Sequence, residues 1–127
     1  MTPLFIPLTP RLLLRGIHLS LTAALRSVVE NKTTRLLRHE PQIIRIRVDL
    51  EHDRTRGPTA AFVAKGHLEI RGNDLLASVA TEDCYKSIDL LIDRLDTMLR
   101  RRAERSRRGR HDLHAVDLLA PLPKIGI

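Results

Sequence analysis

A chain of 127 residues has room for one domain and no second full one, and it is long enough to bury a core without disulfides or a structural metal. The formal net charge of +7 is unevenly placed: residues 100 to 110 hold seven Arg against Glu104, while the other 15 basic residues are nearly matched by 14 acidic ones. A near-neutral body with one concentrated cationic segment points to polyanionic partners, nucleic acid or acidic lipid, and is silent on fold.

Residues 1 to 10 read as an extended lead-in punctuated by Pro3, Pro7 and Pro10. The start lacks the basic segment of a secretory signal, and no run reaches the roughly 18 apolar residues of a membrane span. Cys84 is the only cysteine, which excludes an internal disulfide and a zinc site of paired thiols, and fits a reducing compartment. A cytoplasmic protein is expected.

From Arg11 to Arg15, Leu12, Leu13 and Leu14 form an apolar run of strand length before Gly16. Between Leu21 and Arg38 the period becomes helical: Leu21, Ala24, Leu25, Val28, Val29 and Leu36 share a face, Thr22 is placed as N-cap, and Pro41 closes the helix. Ile43 to Glu51 alternates, with Ile44, Ile46, Val48 and Leu50 on one side and Arg45, Arg47, Asp49 and Glu51 on the other. After the polar loop 52–58, Thr59 to Arg71 alternates again, with Phe62, Ala64, Leu68 and Ile70 inward and Lys65, His67, Glu69 and Arg71 outward. Gly72, Asn73 and Asp74 form a tight turn into a strand from Leu75 to Ala80.

Thr81 is placed to cap a long second helix, with Glu82 and Asp83 in its first turn. Cys84, Ile88, Leu91, Ile92, Leu95, Met98 and Leu99 recur at helical spacing and make its buried stripe. From Arg100 the stripe fades into RRRAERSRRGR, a cationic arm. The expected fold is α+β, in the order β-α-β-β-β-α: a four-stranded mixed sheet with both helices packed on one face and a wet opposite face holding Arg45, Arg47, Lys65 and His67. Residues 11–105 form the domain, and residues 106–127, basic and then apolar with Pro121 and Pro123, form a flexible tail.

The Arg cluster is the strongest chemical signal. Guanidinium groups make bidentate contacts with phosphate and displace counterions; the plain alternative is a solvated helix end favoured by the helix dipole. Seven Arg with a single acid exceed what the dipole rewards. With only Phe5, Phe62 and Tyr85 for stacking, a single-strand platform is disfavoured, and recognition of folded RNA through backbone and shape fits better. Lys32, Arg35, Lys86 and Arg94 extend the arm, although each alone also reads as an ordinary surface residue.

Cys84 reads as a small core residue, against the alternative of a thiol activated at a helix N-terminus. Asp89 and Asp93, one turn apart, suggest an acid/base pair but stand among Lys86 and Arg94 as a mixed-charge face. His111, Asp112 and His114 are a weak metal signal. Phosphate loop, nucleophile elbow and HExxH motifs are absent from the sequence, and no catalytic residue is assigned.

Residues 82–101, EDCYKSIDLLIDRLDTMLRR, and 16–36, GIHLSLTAALRSVVENKTTRL, resemble the ribosome hibernation-promoting factor family. Asp83, Tyr85, Ile88, Asp89, Asp93, Arg94 and Leu95 match its second helix, and Thr22, Leu25, Lys32 and Leu36 its first. The resemblance implies a domain that sits in the messenger and transfer RNA channel of the small ribosomal subunit, inhibits translation and preserves idle ribosomes under stress. It implies no enzymatic activity, no cofactor or metal, no small-molecule substrate and no membrane, with a monomer off the ribosome. It implies rRNA contacts at Lys32, Arg35, Arg94, Arg100 and Arg101, which the wider basic surface extends to Lys86, Arg102 and Arg105. Asp83, Tyr85 and Asp89 are structural or contacting. The chain departs from the family at Cys84, Lys86 and Ser87, and its end at Ile127 suggests a short or tailed form. The alternative is a general double-stranded RNA module, which shares the architecture of a sheet backed by two helices.

Overall fold

The computed structural model describes residues 4–119, with side chains through residue 105. Its elements are β1 (Ile6–Thr9), β2 (Leu12–Ile17), α1 (Ala23–His39), β3 (Ile43–His52), a 3-10 turn (Arg54–Arg56), β4 (Phe62–Ile70), β5 (Leu75–Thr81) and α2 (Cys84–Leu119). The chain divides into two compact units, one ending at Asp96 and the other starting at Thr97.

The sheet has five strands in sequential order, not four. The addition is β1, within the stretch that reads as a lead-in: it pairs antiparallel with β2, Ile6 opposite Leu14 and Pro7 opposite Leu13. A proline is tolerated there because β1 is an edge, where a missing N–H breaks no inner ladder and discourages a further strand from adding. As expected, β2 and β3 are parallel around α1, and β3, β4 and β5 form an antiparallel meander. Gly72 supplies the positive φ of 100° in the β4–β5 turn.

Helix α1 begins where the sequence places it. Thr22 Oγ1 accepts from the Leu25 amide at 3.2 Å, and the helix ends at His39, before Pro41. Its buried face is Leu25, Val29, Thr33 and Leu36, while Ala24 is exposed. Thr33 is buried because its hydroxyl donates to the Val29 carbonyl at 2.7 Å, satisfying the polar group within its own helix.

Two local expectations are corrected. Ile43, not Ile44, enters the core: an irregularity in register between Ile43 and Arg45 inserts a residue against β4, so Ile44 turns outward at 56% exposure while Ile46, Val48 and Leu50 stay buried. Thr81 is the last residue of β5 and not the helix cap. Its buried hydroxyl donates to the Asp83 carbonyl at 2.7 Å and lies 2.7 Å from Ser87 Oγ. Asp83 takes the cap position, its Oδ1 accepting from the Tyr85 amide at 3.3 Å and its carbonyl from the Ser87 amide at 3.0 Å. Glu82 and Asp83 therefore precede the first turn of α2.

Cys84, Ile88, Leu91 and Leu95 form the buried stripe of α2 in the first unit. A Cβ placed on Gly66 of β4 would lie 2.9 Å from Leu95 Cδ1 and 3.3 Å from Leu91 Cδ1, so the glycine allows α2 to pack tightly on the sheet there. Ser87, 1% exposed, stitches the helix to β4 by donating to the Phe62 carbonyl at 2.7 Å. Past Arg110, where composition suggests a tail, α2 continues to Leu119; the side chains of 106–119 and all of 120–127 lie outside the described residues, and with them the metal reading of His111, Asp112 and His114.

Candidate nucleic-acid interface

The cationic residues singled out from the sequence sit on the two helices. Lys32 projects from α1 and its Nζ lies 2.5 Å from Asp89 Oδ1 of α2. That ion pair puts α1 beside α2, on the side of the sheet from which Leu91 and Leu95 approach Gly66. Arg35, one turn on from Lys32, is exposed on α1. Lys86 pairs with Glu82 at 3.0 Å, an exposed and solvent-screened pair at the entry to α2.

Arg94 turns the other way. Its guanidinium donates to the Ser78 carbonyl at 2.9 Å, over the open edge of β5. At 100° per residue, Asp89 and Arg94 stand about 140° apart around the helix. The structure therefore brings Lys32 and Asp89 together and carries Arg94 to the opposite flank, so the exposed ridge of α2 has a cation on each side, Lys32 from α1 on one and its own Arg94 on the other. That ridge also bears Tyr85 and Leu90, 41% and 42% exposed, among exposed charges.

Asp89 thus has an observed task, holding the Lys32 ammonium; Asp83 has another, capping α2. Asp93 is exposed one turn from Asp89, and Asp89 is committed to Lys32, so the two carboxylates do not converge on one site. Cys84 is buried, and burial together with the nearby Asp83 charge pushes its thiol up to about 11, the reverse of an activated nucleophile. No group of three metal-ligating side chains occurs among the described residues. None of their helices is long and apolar enough to cross a membrane.

In the second unit, Arg100, Arg101 and Arg105 are exposed and Arg102 is half-buried. Arg100, Arg102 and Glu104 each make interactions within the chain, so this segment is a charge-laced helix and not a row of bare cations.

Sequence reasoning did not find the order on the wet face of the sheet. Arg15 makes a bidentate pair with Asp49, at 3.0 and 2.7 Å, and its guanidinium lies 4.3 Å from the Phe5 ring centre. Arg45 and Arg47 share Glu69, which they hold below the usual carboxylate range, Arg47 contributing most through its hydrogen bond. Strand alternation gives the outward direction of these residues, but only cross-strand register makes them neighbours.

A five-stranded mixed sheet of this topology with two helices defines a small α+β domain seen in solved structures. The chain is similar to a ribosomal subunit interface protein from Coxiella burnetii, with a TM-score of 0.63 and 21% identity over 74% of this chain and 96% of that one. It is also similar to the N-terminal domain of Protein Y from Thermus thermophilus, with a TM-score of 0.60 and 28% identity over 72% and 93% of the two chains.

Residues 12–107 match the sequence profile of the Sigma 54 modulation protein / S30EA ribosomal protein family, and the chain belongs to that family. Relatives include ribosome hibernation promoting factors of Azotobacter vinelandii, 34% identical over 71% of this chain and 79% of that protein, and of Acinetobacter guillouiae, 27% identical over 84% and 96%.

Proposed function

We propose that this protein is a ribosome hibernation factor that docks in the messenger and transfer RNA channel of the small ribosomal subunit, blocks translation by occupying it, and preserves idle ribosomes under stress. What carries the reading is the family match over residues 12–107, shared with relatives named for ribosome hibernation. The chemistry supports it: cations on both flanks of α2 and the Arg-dense residues 100–105 suit phosphate contacts, and shape, not stacking, does the recognising.

In this reading Lys32, Arg35, Lys86, Arg94, Arg100, Arg101, Arg102 and Arg105 contact rRNA, with Tyr85 available on the same ridge. Asp83 and Asp89 act through the residues they hold. Residues 11–105 form the ribosome-binding part and residues 106–127 an appendage; the free protein is a cytoplasmic monomer. Its action is occupancy, with no turnover and no cofactor.

The test is co-sedimentation with isolated small subunits, large subunits and a free RNA duplex at low and moderate salt. Retention on small subunits alone at moderate salt is expected. Replacing Arg100, Arg101 and Arg102 with Glu should weaken it strongly and flatten its salt dependence, each lost phosphate contact removing about 0.7–0.9 from the log-log slope. Equal binding to the duplex overturns ribosome selectivity in favour of a general double-stranded RNA module, and unchanged binding of the triple variant removes the arm from the interface.

A further inference from the structure

The face of the sheet turned away from the helices carries a second constellation. Register arranges it in two transverse rows. Arg15, Asp49, Lys65 and Ser78 form one; Leu13, Arg47, His67 and Leu76 form the next. Across these rows runs an open trough of roughly 550 Å³, closed at one end by Phe5 and walled at the other by Leu76 and Ala77. That volume is of the order taken by a small organic ligand, about 300–1,000 Å³.

Its charges are oriented and unbalanced. Arg15 is fixed by both oxygens of Asp49 and by Phe5. Arg47 shares the single carboxylate of Glu69 with Arg45. Lys65 is exposed beside Asp49 and makes no ion pair among the described residues. Three permanent cations line the trough: Asp49 answers Arg15, Glu69 is shared between Arg47 and Arg45, and Lys65 is the cation left over, with Asp74 held by His67 at 2.8 Å beside it. Next to Lys65 and His67, Leu76 stands 66% exposed, a large apolar side chain turned to solvent among the described residues. Fixed guanidinium groups and an ammonium match phosphate oxygens, and an exposed aliphatic surface matches a base or ribose.

We propose that this trough binds a nucleoside polyphosphate, its phosphates on Arg47 and Lys65 and its base against Leu76 and Phe5. The trough ends at β2 and β5, about 14 Å apart at the usual strand spacing, which suits one nucleotide and not a running strand. The site lies on the sheet face opposite the helix ridge assigned to rRNA, meeting it only at Ser78, whose carbonyl accepts from Arg94, and is tested without ribosomes.

Isothermal titration of the full chain with ATP, pyrophosphate, adenosine and a short single-stranded RNA tests it, with amide shifts recorded by NMR. Saturable binding of one ATP per chain is expected, weaker binding of pyrophosphate and none of adenosine, with shifts confined to β2–β5. Lys65→Gln, an exposed substitution that leaves the core untouched, should weaken ATP about tenfold, as loss of a charge-assisted hydrogen bond implies. Leu76→Ser should weaken ATP but not pyrophosphate, whereas Arg26→Gln, the same charge change on exposed α1, should change neither. Absence of ATP binding overturns the proposal, as does an equal loss in Arg26→Gln or shifts centred on the helices. Binding of the RNA strand without binding of ATP gives the face to RNA and overturns it equally.

Discussion

Gly66→Ala tests how α2 is seated, and its size can be worked from the packing. The added methyl would sit 2.9 Å from Leu95 Cδ1 and 3.3 and 3.4 Å from the two methyls of Leu91, against about 3.5–4.0 Å for a relaxed carbon contact. Leu91 and Leu95 are both 0% exposed, so neither has open space to retreat into. Forcing one methyl into such a core costs about 1–3 kcal/mol, while replacing glycine in a strand returns about 0.5–1 kcal/mol of chain entropy. The expected net loss is roughly 1–2 kcal/mol, a fall of roughly 5–10 °C in Tm for a domain near 100 residues.

Urea titration and thermal melting followed by circular dichroism give the loss directly. Leu95→Val in the Gly66→Ala background provides the internal check. It removes the methylene reach that causes the clash, so it should destabilise less there than in the parent chain. A Gly66→Ala protein as stable as the parent would refute this seating of α2 on β4, and with it the placement of Lys86, Asp89 and Arg94.

Two further outcomes follow from titratable groups. Arg47 and Arg45 depress Glu69, and a depressed carboxylate stabilises the fold above its unfolded pKa, about 4.3, and loses that contribution as pH falls through the folded value. Glu69→Gln should therefore flatten the loss of stability below about pH 4, by no more than about 1 kcal/mol because both arginines are well exposed to solvent; parallel pH curves for variant and parent would remove this role. Cys84, buried and raised to about 11, should react slowly with a thiol reagent at neutral pH and rapidly after denaturation, and fast labelling of the native protein would contradict its place in the core.

How much of this was written in the residues depends on which interactions are local. Alternation from Arg45 to Leu50 and from Ala64 to Ile70, the 3.6 period of both helices, the Thr22 cap and the glycine turn at Gly72 depend on near neighbours, and each was legible. So was the cation surplus from Arg100 onward, since charge needs no fold to be counted. The strand at Ile6–Thr9 was not, because three prolines hide an edge strand whose pairing is decided by β2, far more than by its own propensity. Nor was the exchange of Ile43 for Ile44, where a one-residue irregularity set by β4 flips the faces, or that of Asp83 for Thr81 at the head of α2.

The candidate site divides along the same line. Sequence by itself determined that this is an α+β protein with a cationic second helix and a family pattern at Asp83, Tyr85 and Asp89, because residue type and spacing carry that information. Tertiary structure alone decided that Asp89 holds Lys32, that Arg94 turns to the carbonyl of Ser78, and that Arg15, Arg47 and Lys65 share a trough. Those neighbours are up to 57 positions apart in the chain, as Lys32 and Asp89 are, and only strand register and helix docking bring them together.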